Sequence, residues 1–279
     1  MVSGVISASR RTDIPAFYMN WFMESLRRGY FEVDNPVSHK ITRVDATPKS
    51  TASIVFWSRN YAPLMPRLDE LLNHYNLWFH FTINTPNKIL EPKIPDPDIQ
   101  LAQLRELAKR VEPRAIAWRF DPIIFWREKG KLRNNLDGFR QLAHEVSRAG
   151  ITRCHTSFMT HYRKIQHRVQ KHYSIDFVDP PIEEKKEIVL SLQEIARSKG
   201  IQLYLCCQPE ILSALPDNAQ ILPASCVDGR MINEVYGVRV SQARDSGQRK
   251  GCGCTRSRDI GSYQKQVCHY HCLYCYANP

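Results

Sequence analysis

With 279 residues, 43% of them hydrophobic and 24% charged, the chain can bury a substantial core, and its composition excludes a disordered tail or a fibre. No apolar run approaches the roughly 20 residues of a membrane-spanning helix. The first residues also lack the basic, apolar and small-residue blocks of a secretory signal, so a cytoplasmic protein is expected. Lys and Arg number 39 against 28 Asp and Glu, a formal charge of +11 that suits an anionic small substrate or a polyanion such as nucleic acid.

In chain order, residues 2–9 read as a short strand with closely spaced apolar positions. Asp13 can cap the next helix, Pro15 suits its first turn, and Phe17, Trp21, Phe22 and Leu26 recur at helical spacing until Gly29. Further strands are expected over 53–57, 77–83, 115–120, 152–159 and 201–207, with another near Ile221-Leu222. Helices are expected between them, over 63–75, 97–111, 136–148, 161–172 and 181–199. Such alternation argues for α/β architecture with a parallel sheet. The absence of a Gly-rich phosphate fingerprint favours a TIM-type (β/α) barrel, full or partial, over an open doubly wound sheet. Residues 1–224 are read as the barrel domain, and 225–279 as an irregular cysteine-rich cap on its mouth within the same structural unit.

In such a barrel, polar residues just after the strands gather at one mouth. Here they include the stretch Ser9-Arg10-Arg11-Thr12-Asp13, then Ser58-Arg59-Asn60, Thr82 with Asn84, Arg119 with Asp121, Ser157 with Thr160, and Gln208 with Glu210. Any one of them can merely cap a helix. As a set they point to a site, with Arg10, Arg11, Asp13, Arg119 and Asp121 as candidate catalytic residues and Gln208 and Glu210 as candidate cofactor contacts. Recurrent arginine suits bidentate recognition of carboxylate or phosphate.

Of nine cysteines, five fall in the last 28 residues, a clustering that favours metal over disulfides in a reducing compartment. Cys268, Cys272 and Cys275 stand as C-x3-C-x2-C, with Tyr274 directly before the third. Three thiolates are one short of a closed tetrahedral site, which suggests an iron–sulfur cluster with one iron open to another ligand. The spacing resembles the signature of radical S-adenosylmethionine (SAM) enzymes. The late motif paired with the opening Ser7-Ala8-Ser9-Arg10-Arg11-Thr12-Asp13-Ile14-Pro15 resembles the bacterial family DUF1848. The radical-SAM resemblance implies a [4Fe–4S] cluster on Cys268, Cys272 and Cys275, SAM on its open iron, Tyr274 near the adenine, and an electron-donor protein as partner. With the polar basin at the strand ends and the cysteines at the end of the chain, the topology leads us to expect that the tail closes over the barrel mouth near Arg10, Arg119 and Asp121. The glycine-glycine-acidic stretch that contacts the SAM amino group in that family has no clear counterpart here.

Cys252-Gly253-Cys254, joined by Cys226, suits a second iron–sulfur cluster or, with a His or a fourth Cys, zinc. Cys206 and Cys207 end a strand and either can reach the cap, whereas Cys154 reads as a buried small apolar residue. His269 and His271 read as solvent-facing spacers, and Tyr276 as a lid.

The tract 148–172 carries Arg148, Arg153, Arg163, Lys164, Arg168 and Lys171 and no acidic residue. With Tyr162 and Tyr173 it is a candidate nucleic-acid face. The basic run 239–258 could guide a polyanion to the cluster. The rival to the enzyme reading is a nucleic-acid-binding protein with a structural metal and no radical chemistry.

Overall fold

The computed structural model describes residues 4–35, 38, 40–173 and 175–278, without the side chains of Lys171 and His172. Val2 and Ser3 of the expected opening strand, and those two side chains of the basic tract, therefore lie outside the described residues. The strands are β1 (Gly4–Ala8), β2 (Tyr30–Asp34), β3 (Ile41–Asp45), β4 (Thr51–Ser58), β5 (Leu77–Thr82), β6 (Ile116–Ile123), β7 (Phe125–Glu128), β8 (Lys131–Asn134), β9 (Arg153–Phe158), β10 (Ile175–Val178), β11 (Gln202–Leu205), β12 (Leu222–Pro223) and β13 (Arg258–Asp259). The helices are α1 (Ile14–Phe17), α2 (Met19–Arg28), α3 (Leu68–Leu72), α4 (Pro97–Arg110), α5 (Phe139–Arg148), α6 (Arg163–His172), α7 (Ile182–Arg197), α8 (Pro209–Ala214) and α9 (Gly229–Tyr236).

Eight strands form one parallel sheet in the order β12-β11-β9-β6-β5-β4-β1-β13. From β1 to β12 the order follows the chain without reversing, as in a barrel and unlike a doubly wound sheet. Among the described residues no pairing joins β12 to β13, so the sheet is a mixed α/β arrangement consistent with a partial TIM-type barrel. β4, β5 and β6 are buried nearly throughout, as parallel strands covered on both faces must be. Their runs supply Phe56, Phe79, Phe81, Trp118 and Phe120, all fully buried. The helices turn one stripe each to this core: Met19, Phe22 and Met23 from α2, Leu101, Leu104 and Leu107 from α4, Val189, Leu192 and Ala196 from α7.

The opening helix is broken at Tyr18 into α1 and α2, and the helix expected over 63–75 shrinks to a 3-10 turn plus α3. Two antiparallel additions were not expected, the β2–β3 hairpin and the β10-β7-β8 sheet. The region beyond 224 is less irregular than expected. Asp228 caps α9 by accepting from the N–H groups of Arg230 and Met231, at 3.0 and 3.1 Å, and β13 pairs with β1 through Ile6 to Arg258 and Ser7 to Asp259. The last residues pack into a satellite core, where Tyr270, Cys272, Leu273 and Tyr274 meet Leu90, Trp126, Ile165 and Val169.

Candidate functional site

Every strand of the parallel sheet runs toward the same face, so the residues that follow the strands collect there. At β1 and β13 the centre is Asp259. Its carboxylate accepts from the Ser7 hydroxyl at 3.0 Å, the Ser9 hydroxyl at 2.7 Å and the Arg10 backbone N–H at 2.8 Å. Arg11 donates to the Gly261 carbonyl at 2.9 Å. Gly261 must be glycine, because a Cβ there would stand 2.1 Å from the Ser9 oxygen. Asp259 was not among the expected site residues. Its one signal is that no other acidic residue follows Asp245.

At β4 and β5 the centre is Arg59. Its guanidinium pairs with Glu91 at 2.8 Å, donates to the Tyr274 hydroxyl at 2.5 Å and reaches the Asp121 carbonyl at 3.3 Å. The Tyr274 hydroxyl in turn donates to Glu91. Burial works against the Arg59 charge, but the Glu91 carboxylate beside it more than restores it. The Tyr274 hydroxyl keeps its proton because it is buried. Asp13 accepts from the Ser58 hydroxyl at 2.7 Å, the Arg59 N–H at 2.9 Å and the Ala16 N–H at 3.0 Å. Burial pushes the Asp13 carboxyl up to about 6 against the pull of those donors. Glu91 carried no sequence signal, since it lies in a Pro-rich loop and not after a strand.

The C-terminal motif lies beside this network. Cys272 is buried, and Cys268 and Cys275 are half-buried. Burial pushes the Cys268 thiol up to about 12 and raises Cys272 as well, with Asp13 acting on the first and Glu91 on the second. Cys275 is close enough to disfavour ionisation of both. The curl between Cys268 and Cys272 uses a left-handed residue, His271, at φ 55°. Arg168 of α6 holds the motif from its other side, donating to the carbonyls of Leu273 at 2.6 Å and Cys275 at 3.0 Å. The Tyr276 hydroxyl donates to the Arg10 carbonyl at 2.6 Å, and the Tyr18 hydroxyl to the Val267 carbonyl at 2.6 Å. His269 and His271 are exposed.

Arg119 and Asp121 sit one step further along the sheet. They pair at 2.5 Å, and Ser157 donates to Asp121 at 2.5 Å. Arg119 also donates to the Cys226 sulfur at 2.9 Å, so its sulfur neighbour is Cys226 and not the terminal motif. The link to the motif runs through the Asp121 carbonyl and Arg59. Beneath, His80 bonds the Cys226 carbonyl at 2.6 Å, and burial, helped by Arg119, lowers His80 to about 3. Cys252 and Cys254 are buried near Cys226, with the Val227 N–H donating to the Cys254 sulfur at 3.4 Å. Among the described residues, no three His, Cys, Asp or Glu side chains converge as one metal ion requires. Gln208 accepts from the Phe158 N–H at 2.9 Å, Glu210 is exposed on α8, and Cys154 is buried in β9.

The basic tract does not form one face. Arg153 is buried with its guanidinium 4.6 Å over the Trp78 ring, Arg148 pairs with Glu145 at 3.6 Å, and Arg168 is engaged by the tail. Lys164 reaches the Asn278 carbonyl at 3.4 Å. Arg163, His167 and Gln170 are exposed.

No match was found among curated proteins. Among solved structures, D-hydantoinase from a Bacillus sp. AR9 is 13% identical with a TM-score of 0.33, over 69% of this chain and 45% of that one. Dihydropyrimidinase from Brevibacillus agri NCHU1002 is 13% identical with a TM-score of 0.34, over 69% and 46%. D-psicose 3-epimerase from Clostridium cellulolyticum H10 is 10% identical with a TM-score of 0.30, over 79% and 62%. The chain thus spans less than two thirds of each of these proteins. The model of one family, described as domain of unknown function (DUF1848), matches residues 5–277, and the chain belongs to that family.

Proposed function

We propose that the protein is a radical-SAM-like iron–sulfur enzyme in which Cys268, Cys272 and Cys275 hold a [4Fe–4S] cluster beside the strand ends. The observation that carries this reading is the Arg59 bridge, which ties Tyr274, the aromatic position of the motif, to Glu91 and to the Asp121 carbonyl. The donor set fits the cluster. Three free thiols lie together, and a thiol held protonated by burial ionises when a metal takes its sulfur. The buried Tyr270 hydroxyl, beside Cys268 and Cys272, has no hydrogen-bond partner among the described residues and can serve a bound group. A cubane spreads its thiolates over several irons, so it does not need ligands convergent on one point.

Held by Cys268, Cys272 and Cys275, such a cluster would supply the single electron that reductive cleavage of SAM requires. The chain itself positions and shields. Arg59 donates to the Tyr274 hydroxyl oxygen, and the O–H, which stays protonated, hydrogen-bonds Glu91. Leu273 and Tyr270 fill the satellite core and exclude water from one side of the motif. Arg59 and Arg119 are taken up by Glu91 and Asp121, so they hold the strand ends in place for the motif. A cytoplasmic setting and an electron-donor protein belong to the same reading.

Anaerobic purification with iron and sulfide analysis, followed by a SAM-cleavage assay under dithionite, tests it. The expected result is a brown protein with roughly four irons on the motif and SAM cleavage, and in Cys272→Ala the loss of the motif's share of the iron together with SAM cleavage. Colourless protein with stoichiometric zinc and no SAM cleavage would overturn it.

A further inference from the structure

Five cysteines outside the terminal motif are drawn together from three separate stretches. Cys206 and Cys207 follow β11, Cys226 follows β12, and Cys252 and Cys254 precede β13. The Cys206 and Cys226 sulfurs are 4.0 Å apart. Going round, Cys226 meets Cys254, Cys254 meets Cys252, Cys252 meets Cys207, and Cys207 returns to Cys206. The sulfurs form a closed ring, and none is in a disulfide.

Two cations face this ring, Arg119 buried and Arg10 half-buried. Arg119 donates to the Cys226 sulfur at 2.9 Å, and Arg10 reaches Cys254. A guanidinium offers only donors, and each of these is aimed at a sulfur that a metal centre would hold as thiolate. The packing around Gly253 points the same way. A Cβ there would stand 2.6 Å from the Ser225 hydroxyl and 3.0 Å from the Ala224 carbonyl. Only a glycine lets Cys252 and Cys254 press against the segment that carries Cys226.

We propose that Cys206, Cys226, Cys252 and Cys254 bind a second iron–sulfur cluster, with Arg10 and Arg119 facing its thiolates. Adjacent Cys206 and Cys207 compete for one position, and Cys206 is assigned because it faces Cys226. The 4.0 Å between the Cys206 and Cys226 sulfurs is close to the spacing of two thiolates on one tetrahedral iron. Four thiolates leave no open iron, so this centre differs in kind from the three-cysteine motif. None of its ligands belongs to that motif, and it stands whether or not the radical-SAM reading does.

The test reconstitutes the full chain anaerobically with iron and sulfide, then measures iron, sulfide and zinc per chain after desalting. The triple variant Cys268→Ser, Cys272→Ser, Cys275→Ser is expected to retain iron and sulfide at roughly half the wild-type level, as for one of two clusters. Retention at the full wild-type level would equally support the second centre while sinking the first. The double variant Cys226→Ser, Cys254→Ser is expected to lose the complementary share. As a check that does not depend on variants folding, alkylation of the reconstituted wild type should leave Cys206, Cys226, Cys252 and Cys254 unlabelled until the iron is removed. An iron-free triple variant, zinc in place of iron, a metal-free Cys206–Cys226 disulfide, or free labelling of the four thiols would each overturn the proposal.

Discussion

Arg59 and Tyr274 are 215 positions apart and meet at 2.5 Å, guanidinium to hydroxyl, with Glu91 bonded to both. The pair is almost fully enclosed, so its partners are not interchangeable with water. Arg59→Ala leaves the Glu91 carboxylate buried without its cation and is expected to cost about 3–5 kcal/mol. Replacing both, as Arg59→Leu with Glu91→Leu, should cost less than the single change. Urea unfolding of the metal-free variants measures both, and equal losses would contradict the assignment.

Asp259 collects three donors from the end of β1. Asp259→Ala strands all three in a largely buried place, and a loss of about 3 kcal/mol or more is expected. Asp259→Asn keeps one acceptor oxygen and should fall between. Limited proteolysis after residue 245 should accelerate in the same order.

Gly253→Ala forces a methyl group against the Ser225 side chain and the Ala224 carbonyl. The expected cost is about 1–3 kcal/mol, as for other overpacked sites. A larger effect is expected on the five-cysteine ring, where alkylation of Cys252 and Cys254 should become faster than in the parent.

His80 is neutral in the fold, with its pKa lowered from 6.5 to about 3 chiefly by burial and then by Arg119. The unfolded chain therefore binds a proton that the folded chain refuses. Stability from this group is complete above pH 6.5 and falls as the pH drops toward 3. His155, lowered in the same direction by burial and by His80, adds to the effect. Urea midpoints from about pH 4 to 7 should slope upward with pH, and His80→Gln should flatten that slope.

Arg168 holds the carbonyls of Leu273 and Cys275, whereas Arg163 on the same helix is exposed. Arg168→Gln should raise amide exchange across 268–278 and speed alkylation of Cys275. Arg163→Gln should do neither. Nucleic-acid binding carried by α6 would be weakened by Arg163→Gln across a salt series, with no change in tail exchange.

The central sheet was readable because β4, β5 and β6 are continuous apolar runs, a pattern imposed by burial on both faces. β3, read ITRVD, and β8, read KLRN, are mostly exposed and polar, so no apolar pattern marks them. β13 is two charged residues whose extended form comes only from pairing with β1. The spacing of the terminal cysteines was visible in the sequence, and Asp13 was expected as a helix cap, which its bond from the Ala16 N–H bears out. Arg59 was visible as a strand-end residue but not as the bridge, and Glu91 was not visible at all, because both roles come from contacts between segments far apart in the chain.

The pairing of β13 with β1 also sets an order of events during synthesis. Ser7 and Asp259 are 252 positions apart, so one side of β1 stays unpaired on the ribosome until almost all of the described chain has emerged. Contacts of such long sequence separation form late and slow folding. The Arg10 backbone N–H gains its acceptor, Asp259, only at that point, so the end of β1 stays incomplete until that late segment arrives.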